Sequence, residues 1–152
     1  MILWECKHFN ELNIGDLYAI LQLRIEVFIV EQNCVFQDCD DKDQESFHLT
    51  GWYQNKLIAY TRIMPPGLSY NEASIGRVIT SPAVRRKNIG KELMTRSIQK
   101  VYELFGKKPI MIGAQLYLKN FYELLGFKQY SDIYLEDGIE HIKMLQNPKD
   151  IQ

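Results

Sequence analysis

Surplus positive charge is missing from this 152-residue sequence. Eighteen Lys and Arg against nineteen Asp and Glu leave a formal net charge of −1 and a pI near 6.3. Binding nucleic acid through total charge needs extra Lys and Arg to neutralise phosphates, so nucleic acid is not an expected partner. Cysteine is scarce too. Cys6, Cys34 and Cys39 are odd in number and lack C-x-x-C spacing, which gives no disulfide framework and favours a reducing compartment. Cys34, Cys39 and His48 offer zinc only three ligands where a structural site takes four, so no metal is expected. No stretch approaches the ~20 apolar residues of a membrane span. The opening MILWECKHFN lacks a basic start followed by a long apolar run, so neither membrane nor secretory leader is expected, and a cytoplasmic location is. Repeats, low-complexity tracts and linker-like stretches are absent as well.

What remains is an ordinary globular balance, 46% hydrophobic and 24% charged. A chain of this length can bury roughly 70% of the surface it exposes when unfolded, enough for a core without staples. One domain over residues 1–152 is expected. Residues 2–9 alternate like a strand. Asn13 can cap a helix, with Asp16 in its first turn and Leu17, Leu21, Arg24 and Phe28 on one face. The acidic run 33–45 reads as a loop. Residues 47–53 and 56–64 form strands around a tight turn at Gln54–Asn55, and 74–80 forms another. From Ile89 the period becomes helical, with Leu93, Ser97, Val101 and Phe105 on one side, until Gly106. Residues 109–114 are a fully apolar strand, 117–125 a short helix ended by Gly126, and 127–145 a hairpin turning at Asp137-Gly138. The crossover through helix 89–105 makes strands 74–80 and 109–114 parallel neighbours. The other strands are mostly antiparallel, so the fold class is α/β (α+β), a mixed sheet with helices on both faces.

The chemistry concentrates in IGRVITSPAVRRKNIGKELM, residues 75–94. A strand ends, Arg85, Arg86 and Lys87 occupy a short loop, and a helix starts near Asn88–Gly90. Unpaired amides and the macrodipole make a helix start an anion site. The loop cations and Lys91 strengthen it, and Gly90 lets the backbone approach. Charge alone would fit a solvated cationic helix start. Strand, loop and glycine-bearing helix together favour phosphate. Gly90-Lys91 is followed by Glu92 and no G-x-G-x-x-G exists, which excludes Walker A and Rossmann loops.

Residues 75–94 resemble motif A of the GNAT N-acetyltransferases, whose loop reads Arg/Gln-x-x-Gly-x-Gly/Ala. Asn88 stands where the first glycine is usual, and Asn tolerates left-handed backbone better than most residues. Leu118-Lys119-Asn120-Phe121-Tyr122-Glu123-Leu124-Leu125-Gly126-Phe127 is similar to motif B. LQLRIEVFIVEQNCVFQDCDDKD (21–43), IGAQ (112–115) and EDGIEHIKM (136–144) extend the resemblance, along most of the chain, to the ElaA-type branch. The resemblance implies a V-shaped sheet opening between strands 74–80 and 109–114. It implies acetyl-CoA as co-substrate and an amine, small or on a protein, as acceptor. Its implied cofactor contacts are Val78, Ile79, Thr80, Arg85, Arg86, Lys87, Asn88, Ile89, Gly90, Lys91, Asn120 and Tyr122.

An alkylamine with a pKa of roughly 10 must lose a proton before it attacks a thioester. The thioester oxygen needs donors, and the departing sulfur needs a proton. By resemblance, Tyr122 is the acid and a backbone N–H near Val78 the oxyanion donor. A core tyrosine is the plainer reading of Tyr122. Glu31 and His141 are the candidate bases, with His48 and the aspartates of 38–43 as relays; a hairpin side chain with a satisfied hydrogen bond is the plainer reading of His141. The acidic loop also reads as a field for a cationic amine or as a solvated surface. Arg24 and Arg77 read as structural partners for acidic residues, and Phe36 as acceptor-pocket lining. A module that holds acyl-CoA without turnover is the alternative function. Monomer and homodimer both remain open.

Overall fold

The computed structural model describes residues 1–85 and 87–151. Strand β1 (Leu3–His8) and helix α1 (Ile14–Arg24) precede β2 (Phe47–Tyr53), β3 (Lys56–Met64) and β4 (Ala73–Thr80). Helix α2 (Ile89–Phe105) leads to β5 (Ile110–Gln115) and the short α3 (Lys119–Glu123). Strands β6 (Phe127–Gln129), β7 (Tyr134–Glu136) and β8 (Ile139–Gln146) complete the sheet. Its order is β1-β2-β3-β4-β5-β8-β6, with β7 also on β8. Among the described residues only β4 and β5 pair in parallel, as the crossover through α2 predicts.

Local chemistry sets the boundaries. Asn13 Oδ1 accepts the Asp16 amide hydrogen at 2.7 Å and starts α1. Gln54 and Asn55 have φ of +49° and +63°, the paired left-handed residues of a tight hairpin turn. Two apolar layers result. Leu93, Met94 and Val101 of α2 pack on Leu49, Ile63 and Ile75 from one face. Ile20, Leu23 and Val27 pack on Tyr60 and Ile79 from the other. Ser97, the polar member of the α2 stripe, bonds to Thr61 Oγ1 at 2.7 Å inside that layer, as a buried hydroxyl must.

The C-terminal hairpin differs from the expected simple pair. Its first arm is split: β6 pairs with the end of β8 and β7 with its start. Between them, Tyr130 N–H donates to the Lys143 carbonyl at 2.8 Å, and Ser131 Oγ accepts the Lys143 amide at 2.9 Å. A side-chain oxygen thus replaces a ladder partner, the competition short polar residues offer to strands. After Arg24 the first helix widens into π-helical turns over Ile25–Glu31. The last helix is shorter than expected, because Leu116–Leu118 form a tighter 3₁₀ turn.

Two features of β4 position the cleft. It pairs with β5 only at Ala73↔Ile110 and Ser74↔Met111, and then the strands part. On its other side, Arg62↔Gly76 is followed by Tyr60↔Ile79, so Arg77 and Val78 stand opposite Thr61 alone. This is a β-bulge, with Arg77 at φ +51°. A left-handed non-glycine residue costs about 1–2 kcal/mol, so something must hold it.

That something is a buried ionic network. Arg77 donates to Asp38 Oδ1 at 2.8 Å and to the Asp38 carbonyl at 2.9 Å. Arg24, fully buried, donates to Asp38 at 2.7 Å and to Asp43 at 2.8 Å. Arg62 donates to Asp40 at 2.7 Å and to Asp43 at 2.9 Å. Asp38, Asp40 and Asp43 of the 33–45 loop are therefore counter-ions to three arginines. This bears out the pairing expected for Arg24 and Arg77 and corrects the reading of that loop as a solvated or amine-attracting field. His48 is also taken: its Nε2–H donates to the Asp43 carbonyl at 2.9 Å, and Nδ1 accepts from Tyr60 at 2.6 Å. At 1% exposure it relays nothing.

The network gives stability a signed pH dependence. Burial opposes ionisation of Asp40, but hydrogen bonds and charge from Arg62, with Arg77, hold its pKa down to about 2. Burial keeps His48 below its usual range, although the Asp43 carbonyl and carboxylate pull the other way. Both folded-state values lie below those of the unfolded chain. Each contribution is therefore complete above the unfolded pKa and is lost as pH falls toward the folded one. The melting temperature should be flat above about pH 7, start to fall below about 6.5 as unfolded His48 binds a proton, and drop more steeply below about 4. Melts across pH 8 to 3 check this; no decline between pH 5 and 3 would contradict the role of Asp40.

Candidate functional site

Where β4 and β5 part, a cleft of about 1050 Å³ opens. Val78, Ile79 and Thr80 wall one side, with Ile112, Gly113 and Gln115 on the other. Arg85 and Gly90 stand at one end, Phe121 and Tyr122 beneath, and Phe36, Tyr70, Glu136 and His141 around the rest.

One end of the cleft is the start of α2. Asn88 adopts φ +60°, ψ +16° and its side chain makes no cap. The left-handed conformation that a glycine would supply is thus met by Asn. The first helical bond runs from Glu92 N–H to the Asn88 carbonyl, so the amides before Glu92 have no intrahelical acceptor. A Cβ on Gly90 would meet only Phe121 at 3.8 Å and Thr80 Cγ2 at 3.9 Å. The fold itself leaves room for a side chain there, and the space belongs to whatever approaches the amides. Lys87, Asn88 and Lys91 are exposed around this end and Ile89 is partly covered, all outside the cleft wall. Arg86 lies outside the described residues. Asn120, expected at the cofactor, is exposed and does not line the cleft.

Arg85 is tied across the mouth to Glu31, Nη1 to Oε2 at 2.5 Å and Nη2 to Oε1 at 2.6 Å. The Arg85 hydrogen bonds hold the Glu31 carboxyl below the usual carboxylate range. A carboxylate gripped by a guanidinium fork is a weak proton acceptor, so the candidacy of Glu31 as base is corrected: it serves as the partner of Arg85. The link itself was not legible, because the two residues are 54 positions apart.

Tyr122 is 5% exposed, and its ring meets Phe121 and Phe127 edge-on. It packs in the core and lines the cleft at once. Burial, helped by Tyr117, pushes its phenol well above the usual range, so the hydroxyl remains a donor at neutral pH. His141 faces the cleft at 7% exposure. Its Nδ1 is 2.8 Å from the Ile139 carbonyl. A carbonyl only accepts, so Nδ1 carries the hydrogen and Nε2 keeps the lone pair in the neutral ring. Glu136 Oε2 is 3.5 Å from that Nε2 and Tyr134 stacks on the ring. Glu136, Tyr70 and Tyr134 escaped the sequence reading; the hairpin turn at Asp137-Gly138 was the one signal that places Glu136 beside His141.

Comparison with known proteins agrees with this geometry. A family model described as an acetyltransferase (GNAT) domain matches residues 19–146. Protein ElaA of Escherichia coli strain K12 is 42% identical over 146 residues, 95% of this chain and 95% of that protein. The crystal structure of Escherichia coli ElaA superposes with a TM-score of 0.91, 41% identity, and coverage of 97% of this chain and 100% of that one. An acyl-CoA N-acyltransferase from Pseudomonas aeruginosa gives a TM-score of 0.92, 39% identity, and coverage of 96% and 99%. The splayed sheet, the open helix start and the sequence match lead to one assignment: the chain belongs to the GNAT acetyltransferase family.

Proposed function

We propose that the chain moves an acetyl group from acetyl-CoA directly to an amine. One observation carries this reading: the gap between β4 and β5 runs up to the uncapped amides at the start of α2. A diphosphate fits there by charge, by donor supply and by the room at Gly90. The thioester arm would lie along β4, whose edge beyond Ser74 is unpaired toward β5. Bound acetyl-CoA supplies the activated acyl carbon.

The protein's own groups meet the remaining demands. The bulge at Arg77–Val78 detaches β4 backbone from regular pairing, and a Val78 amide aimed into the cleft would stabilise the negative oxygen. Tyr122 would donate its phenolic hydrogen to the departing sulfur. His141 Nε2, the lone-pair nitrogen, would take the proton that the ammonium must lose. Addition of coenzyme A should shift the amide resonances of residues 87–91, and acetyl-CoA with a panel of amines should release free thiol. Unmoved amides would overturn the phosphate site. Tight binding without thiol release from any amine would leave an acyl-CoA-binding module.

A further inference from the structure

Beside His141, three polar side chains, Tyr70, Tyr134 and Glu136, gather in the cleft. A Cβ built on Gly113 would lie 3.0 Å from the Tyr134 hydroxyl and 3.1 Å from that of Tyr70. Two phenols from separate segments therefore converge over one glycine. Glu136, 61% exposed at its side chain, reaches 3.5 Å from His141 Nε2. Its charge also acts on both phenols: burial first, then Glu136, raises Tyr70, while burial, Tyr70 and Glu136 push Tyr134 up to about 12. The two phenols can donate as well as accept, while the carboxylate and the imidazole lone pair only accept.

An ammonium group is the complement of that set. It has three hydrogens to donate and a charge for the carboxylate and the ring faces. Lys143 supplies a sample from the chain itself, its Nζ 5.7 Å from the centre of the Tyr70 ring. The larger cations of this wall are otherwise engaged: Arg62 and Arg77 hold Asp40, and Lys42 donates to Ser69 at 2.9 Å.

We infer that Tyr70, Tyr134 and Glu136, over the floor of Gly113, form the acceptor subsite for a primary alkylammonium group. The inference rests on the acetyl-transfer reading and adds where the amine docks and which residues select it. There the ammonium donates one hydrogen to Glu136 and one to a phenol oxygen and gives its third to His141 Nε2, leaving a neutral amine and an imidazolium facing Glu136. Tyr134 stacks on that ring and Glu136 faces its Nε2, with Tyr70 acting on Tyr134 and Lys143 lying over Tyr70.

The test uses the full chain saturated with coenzyme A and titrated with n-butylamine hydrochloride, read by amide resonances. Residues around 113 and 141 should shift, while n-butanol, the same chain without charge, should leave them in place. Glu136→Gln should weaken butylammonium about tenfold, the loss of one charge-assisted hydrogen bond. Gly113→Ala, whose methyl pushes into both hydroxyls, should abolish the response. Equal shifts with butanol, or unchanged affinity in Glu136→Gln, would overturn the subsite. The coenzyme A shifts at residues 87–91 are read in the same samples. Their absence would instead condemn the acyl-CoA reading.

Discussion

Gly90→Glu should abolish coenzyme A binding, a loss of at least a hundredfold, in a protein that still folds. The position is helical and its nearest neighbours to a new Cβ are 3.8 Å away, so the substitution strains nothing. Replacing glycine in a helix should add up to about 1 kcal/mol of stability. The added carboxylate would instead occupy the approach to the free amides and repel a diphosphate. Calorimetric titration with coenzyme A, beside a thermal melt, separates the two effects. A parental dissociation constant would mean that the phosphate site lies elsewhere. A collapsed melting temperature would mean that Gly90 serves packing.

Tyr122→Phe should lower turnover at least tenfold while affinity for coenzyme A changes little. The ring is held by Phe121 and Phe127, and phenylalanine keeps both contacts. Only the hydroxyl goes, and with it the proton for the leaving sulfur. Burial raises this phenol, so it acts as a donor across the assay range and its loss should reduce turnover similarly from pH 7 to 9. Steady-state rates with acetyl-CoA and an accepted amine, beside the coenzyme A dissociation constant, check it. Equal rates in the variant would remove Tyr122 from the chemistry and leave it the core residue that its burial also describes.

The parts of the molecule governed by neighbouring residues were legible in the sequence. Asn13 capping Asp16, the Gln54–Asn55 turn and the α2 stripe through Leu93 and Val101 follow from spacing alone. The left-handed Asn88 follows from the tolerance of that residue type. The parts settled by distant partners were not. Arg77 adopts positive φ because Asp38, 39 positions away, holds its side chain, and no local pattern announces that bulge. Glu31 looked like a base until Arg85 reached it. Tyr70 and Tyr134 carried no signal of their own, and their convergence on Gly113 exists only once β5, β7 and the loop after β3 are assembled. His141 was nameable, but which of its nitrogens is free depends on the Ile139 carbonyl.

The network joining the 33–45 loop to the sheet bears on how acceptor preference could be re-engineered. Such loops are natural targets for exchange between homologues, since they border the pocket and vary in length. Here Asp38, Asp40 and Asp43 neutralise arginines rooted in α1, β3 and β4, and one of those arginines holds the bulged strand. A transplanted loop lacking matching acids would strand buried guanidinium groups and let the bulged segment of β4 relax, deforming the cleft wall. Recombination should therefore cut outside the whole set, moving residues 24 to 77 as one cassette, or spare the loop and vary the tyrosine-lined end instead.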